Sequence, residues 1–153
     1  MTSPQILWLR RDLRLADQPA LHAAAQAGPV IPVFVLDDAA AGDHAYGGAS
    51  RWWLHHSLES LSKSLASRHS RIVLRRGDAA SELAKIAKET GAAAIHAIRH
   101  YEPWWRKVQG KLKDALPEGC ELCLHDGNYL AEPGSVETGS GGAYKIYTPF
   151  SKA

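Results

Sequence analysis

A chain of 153 residues, 45% hydrophobic and 22% charged, has the length of one domain and the composition of an ordinary globular protein. Its net charge of +2, with a pI near 8.6, is too small to carry nucleic-acid binding by itself. With no apolar run approaching the roughly 18 residues of a membrane span and no signal-peptide core at the N-terminus, a cytoplasmic protein without membrane association is expected.

Ile6-Leu7-Trp8-Leu9 is a short apolar run suited to a buried strand. It leads directly into Arg10-Arg11-Asp12-Leu13-Arg14, after which Asp17 is placed to cap, and Pro19 to open, a helix that reaches Ala27. Gly28-Pro29 breaks the chain, and Val30–Leu36 reads as a second strand with Pro32 near its start. Residues 39–49 show no periodicity, and a loop of that length in a small domain is usually functional. A helix begins near Ser50 with Leu54, Leu58, Leu61 and Leu65 as its apolar stripe. Ile72-Val73-Leu74 is a third strand, and Asp78 caps a helix that carries Leu83, Ile86 and Ala87 and stops at Gly91. Ala94–Ile98 forms a fourth strand. Trp105, Val108, Leu112 and Leu116 mark a fourth helix, ended around Pro117 and Gly119, and residues 121–124 form a fifth strand. Strands alternating with amphipathic helices at this spacing predict an α/β fold: a Rossmann-like, doubly wound, five-stranded parallel sheet with helices on both faces.

Several chemistries are poorly matched. Cys120 and Cys123 have the spacing of a redox pair but lie in a strand pattern rather than at a helix N-terminus, so both read as structural. They cannot complete a zinc site alone, and no metal site is expected. Gly139-Ser140-Gly141-Gly142 follows no strong strand and opens no helix, which fails the context of a dinucleotide fingerprint. His96 alternates with apolar neighbours and reads as a satisfied core histidine, while His55 and His56 have no obvious carboxylate partner. In each of the pairs Trp52-Trp53 and Trp104-Trp105 one ring is expected to pack and the other to face a boundary, the alternative being an aromatic pocket for a flat ring.

The first and fourth strands of a doubly wound sheet often flank the point where strand order reverses, where ligands bind. Arg10 and Arg11 would then face Arg99, Tyr101 and Glu102 across one crevice, with residues 37–50 and Arg51 as a lid. Such a crevice suits an anionic or planar heteroaromatic ligand. The alternative is a solvated turn whose arginines pair with Asp12 and Asp17. No catalytic constellation is visible.

Trp8-Leu9-Arg10-Arg11-Asp12-Leu13-Arg14-Leu15, with Asp17 and Pro19-Ala20-Leu21, resembles the opening of the photolyase/cryptochrome family's N-terminal domain. Val33-Phe34-Val35-Leu36-Asp37, Gly77-Asp78, Tyr101-Glu102-Pro103 and the closing Tyr144-Lys145-Ile146-Tyr147-Thr148-Pro149-Phe150 extend the resemblance over essentially the whole chain. The resemblance implies a domain, residues 1–130, that carries a light-harvesting antenna chromophore, with 131–153 beginning the linker to a helical FAD-binding domain. In photolyases the excited reduced flavin of that second domain splits cyclobutane pyrimidine dimers in damaged DNA, so this chain alone would not be catalytic. The implied partners are the FAD-binding domain of the same protein and, through it, damaged DNA. The antenna residues implied are Arg10, Arg11, Leu36, Asp37, Ala49, Arg51, Tyr101 and Glu102. Tyr101 stands where deazaflavin-binding members have an acidic residue, and Trp104-Trp105 where a folate-binding member has Asn-Glu. Methenyltetrahydrofolate is favoured as the pigment, with a deazaflavin or FMN as alternatives. The rival functions are the same domain of a cryptochrome photoreceptor and a stand-alone nucleotide-binding module, the latter opposed by the lack of a glycine-rich loop after the first strand.

Overall fold

Five apolar runs become five parallel strands in the computed structural model, which describes residues 2–129 and 133–152. Strands β1 (Gln5–Leu9), β2 (Val30–Leu36), β3 (Val73–Arg76), β4 (Ala94–Ile98) and β5 (Glu121–His125) lie in the order β3-β2-β1-β4-β5. The order reverses between β1 and β4, as expected for a doubly wound sheet. Leu7 pairs with both Pro32 and His96, and this register aligns the carboxyl ends of the central strands. Pro32 sits just ahead of the first β2–β3 pair, Val33 with Val73, so the β3 side of the strand is unpaired at the proline. The edge strand β3 is short and ends in two arginines, which discourages edge-to-edge association.

Every residue of β1 and β4 is buried, because both faces of the sheet are covered. Ile6, Trp8, Val33, Val35, Ile95 and Ala97 point to one side, where α4 (Ala79–Thr90) and α5 (Pro103–Ala115) supply Leu83, Ile86, Val108 and Leu112. Leu7, Leu9 and Ile98 point to the other, against Ala20 of α1 (Pro19–Ala27) and Leu61 and Leu65 of α3 (Gly48–Ala66). Among the described residues no helix is long and apolar enough to cross a membrane.

The local signals at α4 hold: the Asp78 carboxylate accepts the Ser81 amide at 2.9 Å, and Gly91 closes the helix in the left-handed conformation at φ 65°. Those at α1 do not. Gln18, not Asp17, is the N-cap, and its side chain is drawn away to Asp12. Asp17 takes a positive φ of 49° and receives Arg14 Nε on its main-chain oxygen. The aperiodic stretch 39–49 is not a plain loop: it holds α2 (Asp38–Ala41), a 3-10 turn (Gly42–His44) and the first residues of α3. Trp105 packs in the core, edge to face with Trp8 at 5.8 Å, whereas Trp52 and Trp53 are 63% and 69% exposed. The expectation of one packed ring per pair fails for Trp52-Trp53. Both flank the Leu54 stripe, and the first half of α3, where Leu54 and Leu58 are only half-buried, stands off the sheet. The expected boundary at 130–131 lies outside the described residues. Beyond it come a tight turn bridging Glu137 and Ala143 and α6 (Tyr147–Phe150).

Candidate ligand-binding site

The β1–α1 turn is built around Asp12. This buried carboxylate accepts the Arg10 amide at 3.0 Å and Gln18 Nε2 at 2.8 Å, and His100 Nε2 lies 3.7 Å away. Burial pushes its pKa up, but the hydrogen bonds from His100, the Arg10 amide and Gln18 outweigh it and hold the group below the usual aspartate value. His100 links onward to Glu102 at 3.6 Å and to Asn128 at 3.3 Å.

Arg10 turns inward. It is 1% exposed, its guanidinium lies 4.3 Å from the Trp8 ring centroid and 5.2 Å from that of Trp105, and it donates to the Ile98 carbonyl. Burial lowers its pKa to about 10 against the attraction of Asp12 and Glu102. Arg11 stays at the surface, paired with Glu102 at 3.2 Å and lying 6.0 Å from the Tyr46 ring centroid. The first turn's arginines therefore do not pair with Asp17. Arg14 donates instead to the carbonyls of Asp17 and Gly127, with no carboxylate at ion-pair distance among the described residues.

On the β2 side, Asp37 caps two helices at once: Oδ1 accepts the Ala40 amide and Oδ2 the Ala79 amide, both at 2.9 Å. Arg51 fastens the intervening segment by pairing with Asp38 at 2.9 Å and donating to the Tyr46 carbonyl at 2.8 Å. His44 stacks on Trp104 with centroids 5.0 Å apart, closing the segment onto α5. Arg10, Arg11, Leu36 and Asp37 thus do meet at the carboxyl ends of β1 and β2, but the space they enclose is about 20 Å³, room for a single water. Tyr101 does not line it: its hydroxyl lies 3.5 Å from Asp126 and its ring meets Tyr129 edge to face at 5.1 Å. Arg99 pairs with Asp126 at 3.0 Å. Glu102 reaches Arg11 and His100, and Ala49 faces the other way.

Ala49 borders a larger groove, about 690 Å³, between the β1–α1 turn and the first half of α3. Arg11, Arg14, Tyr46, Trp53, Leu54 and Ser57 line it, and it continues along α3 past Leu15, Trp52 and Ser60 to Arg68. Sequence reasoning named neither Tyr46 nor Ser57 as a site residue, while Trp53 belongs to a pair it offered as the alternative of an aromatic pocket for a flat ring. The usable signal was that Trp52 and Trp53 fall off the leucine stripe, so a helix burying Leu61 and Leu65 must show both rings to solvent. The other chemistries are quiet. His96 bonds His125 at 3.0 Å and Gln5 at 3.2 Å, a satisfied buried histidine. Both cysteines are free thiols, and burial, helped by Glu121, pushes Cys123 up to about 11.

A doubly wound α/β sheet with an aromatic and cationic groove beside the turn that follows β1 has the architecture in which open α/β folds bind ligands at the carboxyl ends of their strands. The DNA photolyase profile matches residues 5–153, and the chain belongs to that family. It is 44% identical over 154 aligned residues to the deoxyribodipyrimidine photo-lyase of Agrobacterium fabrum, covering 99% of this chain and 32% of that protein. It is 36% identical to cryptochrome-1 of Arabidopsis thaliana, over 95% of this chain and 22% of that protein. Among solved structures, a bacterial class III photolyase from Agrobacterium tumefaciens superposes with a TM-score of 0.85 at 42% identity, over 97% of this chain and 31% of that one. The chain spans less than a third of each of these relatives.

Proposed function

We propose that this chain is the antenna domain of a light-driven deoxyribodipyrimidine photolyase and binds its pigment in the groove beside α3. Residues 131–153 then begin the connection to an FAD-binding domain, where dimer splitting in DNA takes place. The observation that carries the reading is the groove itself. At about 690 Å³ it lies within the 300–1,000 Å³ of typical ligand pockets, whereas the crevice formed by Arg10, Leu36 and Asp37 holds about 20 Å³ and does not fit a pigment. When bound, the pigment absorbs near-ultraviolet or blue light and passes the excitation to the reduced flavin. The residues here supply recognition. Trp53 and Tyr46 offer aromatic faces, Arg11 and Arg14 offer cations for carboxylates or a phosphate, and Ser50 and Ser57 offer hydroxyls to ring heteroatoms. The extension toward Arg68 suits an elongated ligand with an anionic tail, which favours methenyltetrahydrofolate over a deazaflavin or FMN.

Titration of the purified chain with methenyltetrahydrofolate and FMN, followed by absorbance and fluorescence, tests this. Saturable binding is expected, weakened about tenfold in Trp53→Ala by the loss of a stacking face and unchanged in Tyr101→Phe. Loss of binding in Trp104→Ala, whose ring lines the strand-end crevice, with Trp53→Ala unaffected would move the pigment to that crevice, and no binding of either pigment would sink the proposal. The kinship with Arabidopsis cryptochrome-1 supports a second reading, the same domain in a signalling photoreceptor. Dimer repair by the full-length protein separates the two.

A further inference from the structure

The solvent side of α3 carries a second cluster of chemistry-bearing groups. His55, His56 and Glu59 each offer one ligand atom, and the three atoms lie within 4.8 Å of one another. Glu59 stands one turn beyond both imidazoles, at the i+3 and i+4 spacings that make helix side chains neighbours. His56 Nδ1 is 3.5 Å from Glu59 Oε2. The neighbours that orient these groups are present too. Trp52 meets the His56 ring edge to face at 4.5 Å, and the two imidazoles cross at 79° with centroids 5.2 Å apart. Lys63 Nζ donates to Glu59 Oε1 at 2.8 Å, which leaves Oε2 on the imidazole side. A ligating carboxylate fixed through its other oxygen by an outer partner is a recurring feature of metal sites.

We propose that His55, His56 and Glu59 form a surface binding site for a divalent first-row transition ion of the Zn²⁺ or Cu²⁺ type. Two imidazoles and one carboxylate select this class, since Mg²⁺ and Ca²⁺ take oxygen ligands almost exclusively. Three protein ligands leave the remaining position to solvent, in keeping with the exposure of all three side chains. His56 also lines the extension of the groove toward Arg68, but the site does not rest on the pigment reading, because its three ligand atoms come together with no ligand in the groove.

The test is a Zn²⁺ titration of the chain, without a polyhistidine tag and near neutral pH, by calorimetry. NMR with sub-stoichiometric Cu²⁺ then locates the ion by paramagnetic broadening. One Zn²⁺ per chain is expected, with broadening centred on residues 52–63. His55→Ala and His56→Ala should each weaken binding about tenfold or more, since removal even of a ligand's outer partner costs 10–100-fold, while His69→Ala leaves it unchanged. Broadening centred elsewhere, or Zn²⁺ affinity unchanged in the His55→Ala/His56→Ala double variant, overturns the proposal. The ligands are exposed, so unchanged amide shifts away from α3 verify that the variants fold.

Discussion

A guanidinium that is 1% exposed must recover inside the protein the hydration it gave up. Arg10 recovers part of it from the faces of Trp8 and Trp105, the Ile98 carbonyl and the nearby Asp12 and Glu102 charges, which ties β1 to β4 at their carboxyl ends. The Arg10 Nε and Nη1 find no hydrogen-bond partner among the described residues, and burial still lowers its pKa. Its place in the charged turn suggested a ligand contact, because Trp105, far along the chain, gives no local sign that it will cover the turn. His96 was legible for the opposite reason: a lone polar residue alternating with apolar ones in a strand announces a buried site. The His96–His125 pair also sets a pH dependence. Burial lowers both pKa values, and His125 lowers that of His96 further, against weaker upward pulls from Glu121 and Asp126. The folded pair resists protonation that the unfolded chain accepts near pH 6.5, so its effect is absent above that pH and destabilises the fold progressively below it. Asp12, with its lowered pKa, adds a second loss only as the pH falls below about 4. Urea unfolding midpoints should therefore be flat from pH 8 to about 6.5 and fall below it. His125→Gln should flatten the decline between about pH 6.5 and 5, and a slope unchanged in that variant would refute the assignment.

At the scale of the element, what the sequence expressed was what a single element decides for itself. Continuous apolar runs gave the strands, leucine spacing gave α3, and Asp78 and Gly91 bounded α4. The misread stretches depend on other elements. Residues 38–41 are too few to show a period, and they form a helix because Asp37 caps them while its other oxygen holds α4. Gly28 is of the same kind. Its backbone is extended, so any residue suits its dihedrals, but a Cβ there would lie 2.4 Å from the Ser3 carbonyl oxygen. Gly28→Ala must push the N-terminal segment away from the β2 entry, where Gln5 also bonds the Pro29 carbonyl at 2.8 Å. The expected cost is about 1–3 kcal/mol, seen as a fall in Tm of about 3–10 °C. Gly110 in α5 is the counterpart: a Cβ there meets nothing within 4 Å, so Gly110→Ala should gain about 0.5–1 kcal/mol from helix propensity alone. Equal Tm shifts in the two variants would show that the Ser3 contact does not control the position.

Across the whole molecule the two faces of the sheet are unequally held. On one, α4 and α5 pack on each other and on the strands through a large continuous core; on the other, α3 is seated by Leu61 and Leu65 while its first half leans outward with Trp52 and Trp53 exposed. Elements with few buried apolar contacts open at free energies well below global unfolding. Residues 48–58 should therefore exchange their amide hydrogens faster than the second half of the same helix, and far faster than β1 and β4. That looseness belongs to the proposed function, because a ligand entering between Leu13 and Trp53 would supply the apolar contact this half of α3 lacks. Hydrogen exchange with and without saturating methenyltetrahydrofolate is the measurement. Slowing concentrated in residues 46–58, with β1 and β4 unaffected, places the pigment on the loose half of α3 and makes binding and ordering of that half a single event. Protection spread evenly over the sheet would instead mean that the ligand stabilises the fold as a whole, and the groove would lose its claim to be the site.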